Sequence, residues 1–135
     1  MYYITPKKAE EREQLVFERA YDPSNYHLGG IQRFDSLDIA TARKLMEAGF
    51  LNPDDSQNGA PTSKEIISFC SGDDEDIWRL EGYVVSPTRD DCRISIDGVH
   101  SVGIPTEARK IEFVRMFRWA DEFDIDEYGC SCWYD

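Results

Sequence analysis

A chain of 135 residues has the size of one domain, since domains cluster near ~100–150 residues, and a single domain over residues 1–135 is expected. Its 41% hydrophobic content, with 7 Phe, 7 Tyr and 3 Trp, argues for a packed core rather than global disorder. A formal net charge of −12 excludes DNA, RNA and anionic membranes as direct partners and favours a basic protein surface.

Thr5-Pro6 predicts the start of a first helix, because threonine caps free N–H groups and proline is tolerated at the first helical position. Ala9, Val16, Phe17 and Ala20 carry its apolar stripe to about Tyr21. Asp22-Pro23-Ser24-Asn25 then breaks it, and Gly29-Gly30 falls in a loop. A second helix is expected with Ser36 as cap and Asp38 in its first turn. Ile39, Ala42, Leu45 and Met46 line one face, and Gly49 ends it. Past the polar loop from Asn52 to Ala60, Thr62-Ser63-Lys64-Glu65 matches a capping box. A short helix bearing Ile66, Ile67, Phe69 and Cys70 follows, stopped at Gly72.

Beyond the Asp73-Asp74-Glu75-Asp76 run the apolar period changes to two. Trp78, Leu80 and Val84 alternate with polar neighbours, as do Cys92, Ile94 and Ile96, which predicts half-buried strands. Asp97-Gly98 predicts a hairpin turn, with Val99 to Val102 as the return strand. Pro105-Thr106-Glu107 opens a further helix with Ile111, Val114, Phe117 and Ala120 on one side. Residues 111–119 also fit a strand, on Ile111, Phe113, Phe117 and Trp119. The segment Tyr128 to Tyr134 is expected to form a last strand. Together these elements predict an α+β fold, with three to four helices packed on a small antiparallel sheet of three to four strands.

The best metal candidate is the loop from Asp54 to Glu65. An EF-hand-type calcium loop takes oxygen donors at its first, third and fifth positions, glycine at the sixth and a bidentate glutamate at the twelfth. Asp54, Ser56, Asn58, Gly59 and Glu65 occupy those places, so the resemblance to an EF-hand implies Asp54, Ser56, Asn58 and Glu65 as metal ligands. Pro53 and Pro61 oppose it, one by breaking the entering helix and the other by removing a backbone donor. A polar inter-helix loop with Glu65 capping is therefore the preferred reading, and no cofactor is expected.

The 4 cysteines read as reduced thiols in a cytosol, because Met1 to Pro6 shows no signal-peptide pattern. Cys130 and Cys132 on a strand would sit roughly 6.5 Å apart, too far for the ~4 Å sulfur spacing of tetrahedral zinc. Neither Cys70, Cys92, His27 nor His100 completes a ligand set at a diagnostic spacing. Nucleophilic catalysis lacks a strained glycine elbow, and Gly29-Gly30 lacks the lysine of a P-loop. The pair Asp90-Asp91 carries no weight among 27 acids. The chain reads as a non-enzyme.

Two stretches resemble short uncharacterised proteins carried by mobile genetic elements of gut bacteria. One runs from Asn52-Pro53-Asp54-Asp55 through Gln57-Asn58 to Pro61-Thr62. The other runs from Glu81-Gly82-Tyr83-Val84-Val85-Ser86-Pro87 through Arg89-Asp90-Asp91 to Ile94-Ser95-Ile96-Asp97-Gly98. This resemblance covers about the middle third of the chain. It implies a bacterial cytoplasm and an accessory role beside DNA-handling machinery, and it transfers no catalytic residue.

Acid is concentrated late in the chain, with a net −7 over residues 51–100 and −4 over residues 101–135. In Asp121-Glu122-Phe123-Asp124-Ile125-Asp126-Glu127 acids interleave with apolar groups. Such a segment suits docking on a basic protein, with Asp121, Glu122, Phe123, Asp124, Asp126 and Glu127 as the partner-binding residues. The simpler alternative is the end of a helix whose aromatics turn inward.

Overall fold

A computed structural model describes residues 1–27 and 29–135. In chain order the elements are α1 (Pro6–Phe17), a 3-10 turn (Pro23–Asn25), β1 (Ile31–Asp38), α2 (Ile39–Glu47) and α3 (Ser63–Cys70). A second 3-10 turn (Glu75–Ile77) leads to β2 (Trp78–Val85), β3 (Ile94–Ser101), α4 (Glu107–Phe117), β4 (Glu122–Ile125) and β5 (Cys130–Trp133). The strands form one antiparallel sheet in the order β1-β2-β3-β5-β4. The α+β class holds, and the sheet has five strands rather than three to four.

Helix starts follow their caps. Thr5, Thr62 and Thr106 each accept a backbone N–H through the side chain, and Glu65 returns the bond to complete the capping box at α3. Asp38, not Ser36, caps α2, accepting from Thr41 N at 2.7 Å. α1 stops at Phe17, before Tyr21, because Glu18 turns left-handed at φ 55°. Residues 107–117 are helix, which settles the helix-or-strand ambiguity. The buried face of α4 carries Phe113 and Phe117, while Ile111 points outward.

One face of the sheet, bearing Phe34, Leu37, Trp78, Leu80, Val84, Ile94, Ile96, Val99, Cys130 and Cys132, packs into a single core against the helices. Trp78 stacks on Phe113 with centroids 5.8 Å apart and meets Phe69 edge-on at 5.4 Å. Adjacent strand positions alternate faces. The opposite face therefore presents Arg33, Arg79, Glu81, Tyr83, His100, Ser131, Trp133, Glu122 and Asp124, all half-exposed or exposed.

The Asp97-Gly98 hairpin expected from sequence does not form, since β3 runs straight through both residues. Glu81 pairs with Gly98 and Gly82 with Ile96, so Asp97 is the extra residue of a β-bulge. Gly98 serves close approach rather than a turn: a Cβ there would lie 2.7 Å from the Cys132 carbonyl oxygen and 2.9 Å from the Trp133 ring. The true β2–β3 connection spans residues 86–93. There Arg89 grips Asp91 through two bonds of 2.8 and 2.7 Å and donates to Gly29 O at 2.7 Å.

Candidate docking site at the acidic end of the sheet

The stretch 121–127 is not the end of a helix. Glu122–Ile125 forms the edge strand β4, and its strict alternation divides the side chains by face. Glu122 and Asp124 are exposed on the helix-free face. Phe123 turns inward onto Phe113 at 5.7 Å, so it is a core contact rather than an exposed anchor. Asp121 accepts from Asp135 N at 2.7 Å and thereby holds the C-terminal residue. Asp126 shapes the β4–β5 turn by accepting from Tyr128 N at 2.7 Å and Gly129 N at 3.0 Å. Glu127 is exposed, and its carbonyl accepts from Lys110 Nζ at 3.4 Å.

Topology brings the two acidic runs to the same end of the sheet, where β2 starts, β3 and β4 finish, and β5 starts. The connecting segments touch there. Val102 N donates to Ile77 O at 2.7 Å, and Cys130 N donates to Ser101 Oγ at 3.1 Å. Exposed apolar side chains lie among the acids, with Val102 at 56%, Ile104 at 66% and Tyr128 at 71% exposure. Neutralisation is partial. Arg109 Nε donates to Asp74 at 2.9 Å and Arg43 pairs with Glu75, whereas Asp73, Asp76, Glu122, Asp124 and Glu127 form no ion pair among the described residues.

Two shallow depressions flank the β4–β5 hairpin. One, of about 400 Å³, lies between α4 and the end of β4; Ile111, Val114 and Ile125 line it, Asp126 and Glu127 supply acid, and Glu107 pairs there with Lys110 at 3.5 Å. The other, of about 390 Å³, lies on the helix-free face and is lined by Glu81, His100, Asp124, Asp126, Tyr128 and Ser131. A larger groove of about 530 Å³ runs between α3 and α4. Its charged groups already answer one another, since Arg109 holds Glu112 at 2.6 Å and Glu65 caps α3.

In the second depression His100 Nδ1 lies 2.6 Å from Glu81 Oε1, and Ser131 stands opposite His100 in the ladder. A carboxylate, an imidazole and a hydroxyl in series are the parts of an acid–base relay, and here the first two are in contact. Such a relay also needs N–H donors for a developing oxyanion. The backbone N–H groups beside it are engaged, Gly129 N on Asp126 and Cys130 N on Ser101. Glu81 also reaches Arg33 at 3.5 Å, and the Arg33 guanidinium lies 4.7 Å over the Trp133 ring. These contacts link β1, β2, β3 and β5 on that face. His27 is exposed in the loop after the first 3-10 turn, remote in sequence from this cluster.

Asp97 is buried on the same face and accepts from Ser95 Oγ at 2.6 Å. Burial pushes its carboxyl above the ordinary value, with the Ser95 bond and nearby arginines opposing the shift. A raised carboxyl in the folded state binds protons more tightly than the unfolded chain does. Its penalty is therefore absent below about pH 3.9 and grows as pH rises through the folded value. Asp97→Asn should raise the melting temperature at pH 7, and the gain should vanish near pH 3.5 in the same thermal scans.

The Asp54–Glu65 segment is an inter-helix connection. Glu65 Oε1 accepts from Thr62 N at 3.1 Å and Thr62 Oγ1 at 2.9 Å, and the Thr62 bonds lower its pKa. Asp54 lies 3.6 Å from Lys64 Nζ, the Asn58 amide donates to Tyr134 O at 3.3 Å, and Ser56 is exposed. Glu65 is thus held at the helix start, and Asp54 and Asn58 are engaged elsewhere. Among the described residues no group of three or more His, Cys, Asp or Glu side chains is placed to hold a metal ion. Cys130 and Cys132 point into the core, and all four cysteines are free.

Sequence reasoning passed over Glu81, Glu107 and Ser131, which line the depressions. The alternation of β2 and β5 was the signal that puts Glu81 and Ser131 on the outer face. No helix is long and apolar enough to cross a membrane. No protein-family model matches the chain, and no curated protein and no solved structure shows significant similarity to it.

Proposed function

We propose that this chain is a non-enzymatic interaction module that docks a basic protein segment on the β4–β5 hairpin and the loops beside it. The observation that carries this reading is the coincidence, at one end of the sheet, of acids that form no ion pair among the described residues with exposed Val102, Ile104 and Tyr128. Carboxylates at the rim steer a cationic partner and set its register, while apolar groups in the depressions supply contact area. A nucleic-acid-handling protein of a mobile element is a partner with that chemistry, reached without the module itself touching nucleic acid.

Asp121 and Asp126 have structural bonds, so the informative variant leaves them in place. Calorimetric titration with a peptide of alternating lysine and leucine should give binding that weakens at least about tenfold between roughly 50 and 500 mM salt. The triple reversal Glu122→Lys, Asp124→Lys, Glu127→Lys should remove that binding while the circular dichroism spectrum stays unchanged. Undiminished affinity in the triple variant would end this reading.

A further inference from the structure

Arg12 is a buried guanidinium with no carboxylate partner among the described residues. It projects from α1, is 2% exposed, and its nitrogens meet unequal partners. One terminal nitrogen donates to Val85 O at 2.8 Å and the other to Cys92 Sγ at 3.2 Å, while Nε is buried without a partner among the described residues. The neighbouring Glu13 is engaged elsewhere, accepting from the Tyr26 hydroxyl at 2.6 Å and Arg19 Nε at 3.2 Å. Arg89 and Arg93, the other cations of the β2–β3 connection, are clamped on Asp91.

A thiol is a weak acceptor, and a charged donor bonds far better to an anionic oxygen. The Arg12 guanidinium is thus matched to a sulfur species more polar than the S–H it meets. Cys92 is half-buried, whereas Cys70, Cys130 and Cys132 lie in the core. Burial pushes those three thiols up, Cys132 to about 12, which removes the nucleophilic thiolate there.

We propose that Cys92 is an oxidation-sensitive modification site for hydroperoxides, with its sulfenic oxygen held by Arg12. The sulfur attacks one peroxide oxygen, the S–O bond forms as the O–O bond breaks, and sulfur loses two electrons. The departing hydroxide takes the thiol proton and leaves as water, so one thiol and one hydrogen peroxide give one sulfenic acid and one water. The new oxygen accepts from the guanidinium and fastens α1 to the β2–β3 connection.

The full chain is treated with substoichiometric hydrogen peroxide, trapped with dimedone and mapped by peptide mass spectrometry. Label on Cys92 should exceed that on each other cysteine by at least about tenfold, and Arg12→Gln should reduce it by about the same factor. Even labelling, or labelling unchanged in the Arg12→Gln variant, overturns the proposal. If that variant fails to fold, the wild-type chain decides. Its label on Cys92 relative to the three core cysteines is then the readout, and even labelling overturns the proposal.

Discussion

Gly82→Ala is expected to abolish the native fold. Gly82 lies in the middle of β2, a central strand, where a Cβ would fall 1.9 Å from the Ser95 carbonyl oxygen and 3.0 Å from the Phe34 ring. The first obstacle is backbone of the paired strand, so no rotamer change relieves it. Relief requires parting β2 from β3 at the bulge, where Asp97 is already unpaired in the register. Ordinary overpacking costs roughly 1–3 kcal/mol, and a backbone collision exceeds it. That is a large share of the ~5–15 kcal/mol that holds a domain together. Urea titration followed by near-ultraviolet circular dichroism should find no native baseline. A variant that unfolds at the wild-type midpoint would mean that the β2–β3 register is other than described.

The second large effect is expected at Arg109. Its guanidinium lies 4.3 Å over the Phe69 ring and 5.5 Å from that of Trp78. Its nitrogens donate to Asp74 at 2.9 Å, to Glu112 at 2.6 Å and to the Phe69 carbonyl. One side chain thus joins α3, α4 and the loop that leads into β2. Arg109→Ala leaves the Asp74 carboxylate and the Phe69 carbonyl without that partner and strips the cation from two aromatic faces. The loss should be about 2–4 kcal/mol in urea unfolding. Arg109→Lys should recover little, because a single ammonium cannot reproduce the planar fork. Hydrogen exchange should show where the damage lies, with faster exchange at the Ile77 and Val102 amides. A loss under about 0.5 kcal/mol, the scale of an ordinary surface substitution, would contradict this role.

The sequence announced elements wherever local chemistry and burial agreed. Thr62 and Glu65 name the start of α3 because both halves of the capping box lie within one turn. β2 shows its period because its inner residues are apolar and its outer ones polar. β1 was unread for a physical reason. A bulge between Phe34 and Leu37 places two inward side chains three residues apart, which mimics a helical spacing. Asp97-Gly98 misled in the opposite way: the same dipeptide that suits a tight turn also suits a bulge where a neighbouring ring presses on the backbone. The acidic segment 121–127 displayed its alternation openly, yet only the pairing of β4 with β5 decides which side chains face out. The acids of that segment were therefore identifiable beforehand. Their meeting with Asp73, Asp76, Val102 and Ile104 was not, because residues far apart in the chain become neighbours only through strand order.

The docking claim is tested most directly by nuclear magnetic resonance of the labelled full chain titrated with the lysine–leucine peptide. Amide shifts should be confined to residues 73–81, 100–114 and 122–131, fading as salt is added. Shifts centred instead on the α3–α4 groove, or spread evenly over every acidic residue, would contradict it.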